Sequence, residues 1–265
     1  MKVAAWQAPL LTGEATEVLR LIRTEIECCE THGVEILCCP EGIIGGLADY
    51  AATPSGNAIR VDDGSLDEML QPLGSDTVTI IVGFTEIDRD QRLFNSAAVY
   101  HRGEIAGVYR KLFPAINRSI YDAGEETPVF TIGSLTFGIL ICNDSNFIEP
   151  ADVMVAHGAA ALFVPSNNGL PEAKTSPGFV THTRKIDIAR AIEKNVTIIR
   201  SDVAGRTSQL VSYGTTAIIG ADGRILGAVE PCRTGLIVAE IEATPGALRT
   251  PEAEAGNATA PTRPP

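Results

Sequence analysis

The stretch Leu135-Thr136-Phe137-Gly138-Ile139-Leu140-Ile141 runs straight into Cys142-Asn143-Asp144-Ser145-Asn146. An apolar run of this kind reads as a strand buried inside a sheet. The polar turn at its carboxyl end falls where open α/β sheets place their sites. Two further strands close on one charged group each: Val34 to Pro40 delivers Glu41, and Val108-Tyr109-Arg110 delivers Lys111. A thiol near its ordinary pKa is mostly protonated at neutrality, so a nucleophilic cysteine needs a base or a cation beside it. Glu41 and Lys111 supply both, and an ammonium beside a thiol is expected to favour thiolate.

Outward from this stretch, strand and helix signals alternate. Val3–Gln7 reads as a strand, and Glu14–Thr31 as a helix with Val18, Leu19, Ile22 and Ile26 at helical spacing before Gly33. Val34–Cys39, Thr77–Phe84, Ala97–Tyr100, Ile105–Tyr109, Val129–Ile132 and Thr136–Ile141 read as strands, with a short helix at Leu66–Leu70. After Cys142 the alternation continues with helix Pro150–His157, strand Ala160–Val164, helix Arg184–Lys194 and strand Val196–Arg200. A hairpin, Thr216–Ile219 with Ile225–Ala228, and a last strand at Leu236–Ile241 complete it. Hairpins mixed with helical crossovers predict an α/β fold with a mixed sheet. From Pro245 the composition shifts to Pro, Ala, Thr, Glu and Gly, so one domain over 1–244 and a coreless tail over 245–265 are expected, the tail flexible or packed on a neighbouring subunit.

Composition narrows the function. With 45% hydrophobic and 20% charged residues, 265 residues can bury a sizeable core. A formal charge of −12 argues against nucleic acid and anionic membrane as partners. No signal-peptide apolar region follows Met1, and no apolar run reaches the roughly 20 residues of a membrane span, so a cytoplasmic protein is expected. The six cysteines lack metal-ligand spacing and the four histidines are scattered, so neither a metal nor a cofactor is expected. Cys28, Cys29, Cys38, Cys39 and Cys232 read as reduced packing residues.

Several segments resemble the carbon–nitrogen hydrolase (nitrilase) superfamily, in order along residues 1–241 or so. They are Gln7-Ala8-Pro9, Cys38-Cys39-Pro40-Glu41-Gly42, Asn95-Ser96-Ala97, Tyr109-Arg110-Lys111 and Gly138-Ile139-Leu140-Ile141-Cys142-Asn143-Asp144. Ala189 to Asn195 and Gly214 to Ile219 complete the set. The resemblance implies a four-layer α-β-β-α sandwich and a Glu-Lys-Cys triad. Glu41 would be the general base, Cys142 the nucleophile that forms a thioester, and Lys111, with the backbone N–H after Cys142, the oxyanion holder. Many members carry a second glutamate after the lysine; here Asn117 stands nearest that place, with Glu125 and Glu126 reading as surface residues. Nitrile-cleaving members look like Cys-Trp-Glu, so Cys142-Asn143-Asp144 favours an amide over a nitrile.

Further substrate contacts are expected from Asn143 and Asp144 and from the loop Val164 to Gly169 through Ser166 and Asn167, whose other reading is a simple turn. Arg184 either binds a substrate carboxylate or belongs to a solvated helix start, and Glu149 reads as a first-turn carboxylate. The function expected is hydrolysis of a small linear amide or N-carbamoyl compound by a homodimer or higher homo-oligomer, with helices 150–157 and 184–194 at a two-fold. A nitrilase and a catalytically silent binder are the alternatives.

Overall fold

The computed structural model describes residues 1–11, 15–115 and 119–243. The first half carries β1 (Lys2–Pro9), α1 (Ala15–His32), β2 (Ile36–Cys38), α2 (Ser65–Leu70), β3 (Thr79–Ile87), β4 (Leu93–His101) and β5 (Glu104–Arg110). The second half carries β6 (Val129–Ile132), β7 (Leu135–Ile139), α3 (Glu149–Ala156), β8 (Ala161–Pro165), α4 (Gly178–Lys194) and β9 (Thr197–Arg206). Three short strands and a longer one follow: β10 (Val211–Tyr213), β11 (Ala217–Ile219), β12 (Ile225–Ala228) and β13 (Gly235–Glu240). It is a mixed α/β fold with a large sheet and few helices.

The strand order is β5-β4-β3-β2-β1-β9-β8-β7-β6, with β13 on β1, β10 and β11 on β9, and β12 on β11. The central neighbours β3, β2, β1, β9, β8 and β7 are parallel, whereas β3-β4-β5 and β6-β7 are antiparallel hairpins. Two successive antiparallel pairings restore the direction of β3 in β5. The carboxyl ends of β2, β5, β7, β8 and β9 therefore point the same way along the ladder, and the site residues follow those ends.

Alternation along the strands explains the packing. From β1, Val3 and Ala5 join Ile36, Cys38, Ile81 and Val99 in a core shared with Phe137, Ile139, Phe163 and Ile218 of the other strands. Phe137 and Phe163 meet there edge to face, 5.0 Å apart. Ala4, Trp6 and Ala8 point to the opposite face and pack with Val18, Ile22 and Ile26 of α1. On the far side α3 presses against β7 at Gly138, where an added Cβ would run into the Met154 side chain. Among the described residues no helix is long and apolar enough to cross a membrane.

β9 departs most from expectation. Its sequence reads as a strand that ends at Arg200. Instead, Thr197 to Ser201 pair with β8 and Asp202 to Ala204 continue onto β1, joining the two halves of the sheet. α4 begins at Gly178 rather than Arg184, entered through Pro177, whose backbone is already helical. β10 pairs antiparallel with the end of β9 and had no sequence signal. The tail and Asn117 lie outside the described residues.

Candidate active site

Glu41 sits just past β2, 2% exposed, with its backbone N–H donating to Ser166 O at 3.2 Å. Gly83 of β3 lies directly beneath it: an added Cβ would stand 2.6 Å from Pro40 O and 2.8 Å from Glu41 Cα, and closer still to Gly42 N. Only a residue without a side chain lets this backbone approach. The Glu41 carboxylate accepts from Lys111 Nζ at 2.6 Å and Asn95 Nδ2 at 2.7 Å on Oε1, and from Asn167 N–H at 2.9 Å on Oε2. Lys111 is 3% exposed. Burial disfavours its ammonium, but the surrounding charges of Glu41, Cys142 and Asp144 prevail and raise its pKa above the ordinary lysine value.

Cys142 has a φ of +46°, left-handed backbone that a non-glycine residue adopts only under constraint. It starts a single 3₁₀ turn, Cys142–Asn146. That turn is held from behind. Ser145 Oγ donates to Cys142 O at 2.8 Å and accepts from Arg200 Nη2 at 2.8 Å. Arg200 also donates to both oxygens of Asp187 in α4, each at 2.6 Å, and to Ser166 Oγ at 2.5 Å. Arg190 of α4 donates to Phe147 O at 3.0 Å. A buried ion pair thus fixes the Cys142 turn to β8, β9 and α4.

Burial, and then the Glu41 carboxylate, push the Cys142 thiol up to about 12; Lys111 and Arg200 oppose this and Asp202 adds to it. Lys111 favours thiolate, as expected, but burial and Glu41 outweigh it. At rest the sulfur keeps its proton, chiefly because burial disfavours the thiolate and the Glu41 carboxylate adds to this. A half-buried thiol beside a buried carboxylate and ammonium suits attack coupled to proton removal by the carboxylate.

Two expected substrate contacts are corrected. Asp144 is 0% exposed. It accepts from Tyr109 OH at 2.8 Å and Ile141 N–H at 3.0 Å on Oδ2, and from Phe113 N–H at 2.8 Å on Oδ1. Its oxygens tie the turn to the segment after β5, and burial raises its carboxyl to about 6. Ser166 is fully buried, with Oγ between Arg200 and Val164 O. Asn143 is partly buried and its Nδ2 donates to Phe113 O at 3.1 Å. Arg184 reaches the carbonyls of Thr215 and Thr216 at 3.4 and 3.5 Å, in a groove with Val180, Ile188 and Val229, and does not join the Glu41–Lys111–Cys142 cluster.

Asn167 touches the cluster twice, through its N–H on Glu41 Oε2 and its Nδ2 on Glu41 O at 3.3 Å. It also borders a cavity of about 580 Å³ walled by Leu10, Gly42, Leu47, Tyr50 and Leu210. Its lining, among the described residues, contains no charged side chain. Sequence reasoning gave no role to Asp187, Arg200 and Asp202, and none of their own to Asn95, quoted only within a resembling segment, or Asn168, within the loop Val164 to Gly169. Among the described residues no group of His, Cys, Asp and Glu is arranged to hold a metal ion.

The family model described as Carbon-nitrogen hydrolase matches residues 2–250. A probable nitrilase of Schizosaccharomyces pombe is 29% identical over 165 residues, 60% of this chain and 58% of that one. The N-carbamoylputrescine amidase of Arabidopsis thaliana is 28% identical over 180 residues, 62% of this chain and 60% of that one. The chain thus spans about three fifths of each relative's length. A solved amidase of Nesterenkonia AN1, from the nitrilase superfamily, superposes with a TM-score of 0.75 at 20% identity, over 92% of both chains.

Proposed function

The chain belongs to the carbon-nitrogen hydrolase family, and from that premise we propose that it hydrolyses a small linear amide or N-carbamoyl compound through a thioester on Cys142. The observation that carries the reading is the buried Glu41–Lys111 pair set beside a thiol on strained backbone. Cys142 Sγ attacks the carbonyl carbon while Glu41 takes the thiol proton. Lys111 Nζ and the Asn143 N–H hold the oxyanion; a well-placed donor contributes roughly 3 to 4 kcal/mol to such a step. Collapse breaks the C–N bond, and Glu41 returns its proton to the departing ammonia or amine. Water then attacks the thioester, giving its proton to Glu41, which returns it to the sulfur as the acid leaves.

For the architecture we propose the α-β-β-α layering, supported by the core that joins Val3, Ile36 and Ile81 to Phe137 and Phe163. For assembly we propose a homo-oligomer through α3 and α4, supported by the exposed Phe147, Ile148, Val153 and Ile192 on or beside them. Sedimentation at micromolar concentration tests this, and a single monomer boundary overturns it.

The chemistry is tested by intact-protein mass spectrometry with a panel of short amides, nitriles and carbamoyl compounds, with ammonia release measured in parallel. An acyl adduct and ammonia that both vanish in Cys142→Ala support the reading and name the substrate class. Turnover of nitriles alone would move the assignment to a nitrilase. A panel without adduct or ammonia would favour a silent binder.

A further inference from the structure

Cys142 Sγ has a partner that the proposed reaction does not use. Asn168 Oδ1 lies 3.7 Å from it, with the thiol as donor. Asn168 is 6% exposed and follows β8, one residue beyond the loop position that binds Glu41. The far end of its amide faces Asp202 of β9, a fully buried carboxylate.

Everything around Asp202 donates to it. Oδ1 accepts from Asn168 N at 3.0 Å and Val203 N at 2.8 Å. Oδ2 accepts from Asn168 Nδ2 at 2.7 Å, Thr215 N at 2.9 Å and Thr215 Oγ1 at 2.7 Å. With five donors and no acceptor at hand, the ionised form is the one this site accommodates, although burial raises its pKa. Thr215 Oγ1 spends its own proton on Asp202 and accepts from Asn168 Nδ2 at 3.2 Å. Two acceptors therefore fix the Asn168 amino group on the Asp202 side, which forces Oδ1 to face the sulfur. The orientation follows from the network rather than from the similar outlines of O and N.

We propose that Asn168, oriented by Asp202, is a positioning residue that holds the Cys142 S–H proton in the resting protein and keeps the sulfur protonated until Glu41 removes that proton. An acceptor at this place interacts well with a thiol and poorly with a thiolate. The charged groups facing the sulfur are Glu41 after β2, Lys111 after β5, and Arg200 and Asp202 on β9. Only Asn168 bonds the sulfur itself among the hydrogen bonds of the described residues. The device protects a half-buried thiol from alkylation and oxidation, reactions that follow thiolate character.

The proposal needs Cys142 to be the reacting thiol but needs no turnover, so its test stands apart from that of the proposed function. The rate of iodoacetamide alkylation of the Cys142 peptide is followed against pH by mass spectrometry, with melting temperature as a fold control. In Asn168→Ala the pH midpoint is expected to fall and alkylation at pH 7 to rise about tenfold, matching one ordinary hydrogen bond. In Asp202→Asn the Asn168 amide is free to turn its amino group toward sulfur, and the rise is larger. Removing the Asp202 charge would itself favour thiolate, so the double variant Asn168→Ala/Asp202→Asn separates the two effects. If Asp202 acts through the amide, its substitution changes the midpoint less in the Asn168→Ala background than in the wild type. A folded Asn168→Ala protein with the wild-type midpoint overturns the proposal, as does an Asp202→Asn effect of equal size in both backgrounds.

Discussion

Lys111 Nζ lies 2.6 Å from Glu41 Oε1, with side chains 4% and 3% exposed, 70 residues apart in the chain. Bringing two charges out of water to this depth is expensive, and their attraction roughly offsets that penalty rather than exceeding it. The pair is therefore a poor candidate for a stabilising device. What it provides is a carboxylate and an ammonium held at fixed positions in a water-poor site, where electrostatic interactions are less screened than in solution.

Removing one partner leaves the other charged and alone. Lys111→Met is expected to destabilise the fold by about 3 to 5 kcal/mol. The double variant Glu41→Gln/Lys111→Met should regain most of that loss while remaining without amide hydrolysis. Urea unfolding of the wild type, the single variant and the double variant checks this. A double variant no more stable than Lys111→Met would mean that the pair contributes directly to stability.

Gly83 governs the position of Glu41 through backbone contact alone. Gly83→Ala inserts a methyl group 2.8 Å from Glu41 Cα and 2.6 Å from Pro40 O, both backbone atoms that cannot rotate away. The carboxylate shifts against Lys111 and Asn95, and misplacement on the order of 1 Å lowers kcat by roughly a hundredfold. KM should change much less. Steady-state kinetics on a substrate found by the panel reads this out, and a kcat within threefold or so of wild type would separate Gly83 from catalytic geometry.

The elements that were legible in the sequence share one property: their signal is local. The apolar run ending at Cys142 and the single charges at Glu41 and Lys111 stand out because strand periodicity and strand ends are written in adjacent residues. Arg200 read only as the last residue of a strand, and Asp202 and Asp187 carried no role, because the partners are distant: Asp187 lies 13 residues before Arg200, and Thr215 lies 13 residues after Asp202. Asn168 looked like one more loop amide, and only the fold brings Cys142 to it from 26 residues away. Asp144 read as a substrate contact because its burial depends on the Tyr109 and Phe113 segment closing over it, which no local signal announces.

Arg200 tests the support behind the Cys142 turn. Its guanidinium serves Asp187, Ser166 and Ser145 in different directions. A lysine carries a single compact ammonium and cannot span that fork. Arg200→Lys is expected to lose about 3 kcal/mol of stability, the size of one or two charge-assisted hydrogen bonds. Slackening the Cys142 turn should also lower kcat about tenfold, equivalent to 1.4 kcal/mol in the barrier. A variant as stable and as active as the wild type would show that Ser145 and Arg190 alone hold the turn.

Asp144 gives the fold a specific pH dependence. Burial raises its carboxyl from 3.8 to about 6, so the folded protein holds this proton more tightly than the unfolded chain. Stability from the group is therefore fully present below pH 4 or so and is lost as pH rises through about 6. Asp144→Asn has no proton to hold, and its missing acceptor oxygen contributes an offset that does not change with pH. The wild-type advantage over Asp144→Asn should accordingly shrink by on the order of 3 kcal/mol between about pH 4 and pH 7. Urea midpoints of both proteins across that range measure it. An advantage that stays level or grows with pH would mean that Tyr109, Phe113 and Ile141 hold the ionised carboxylate strongly enough to cancel its burial.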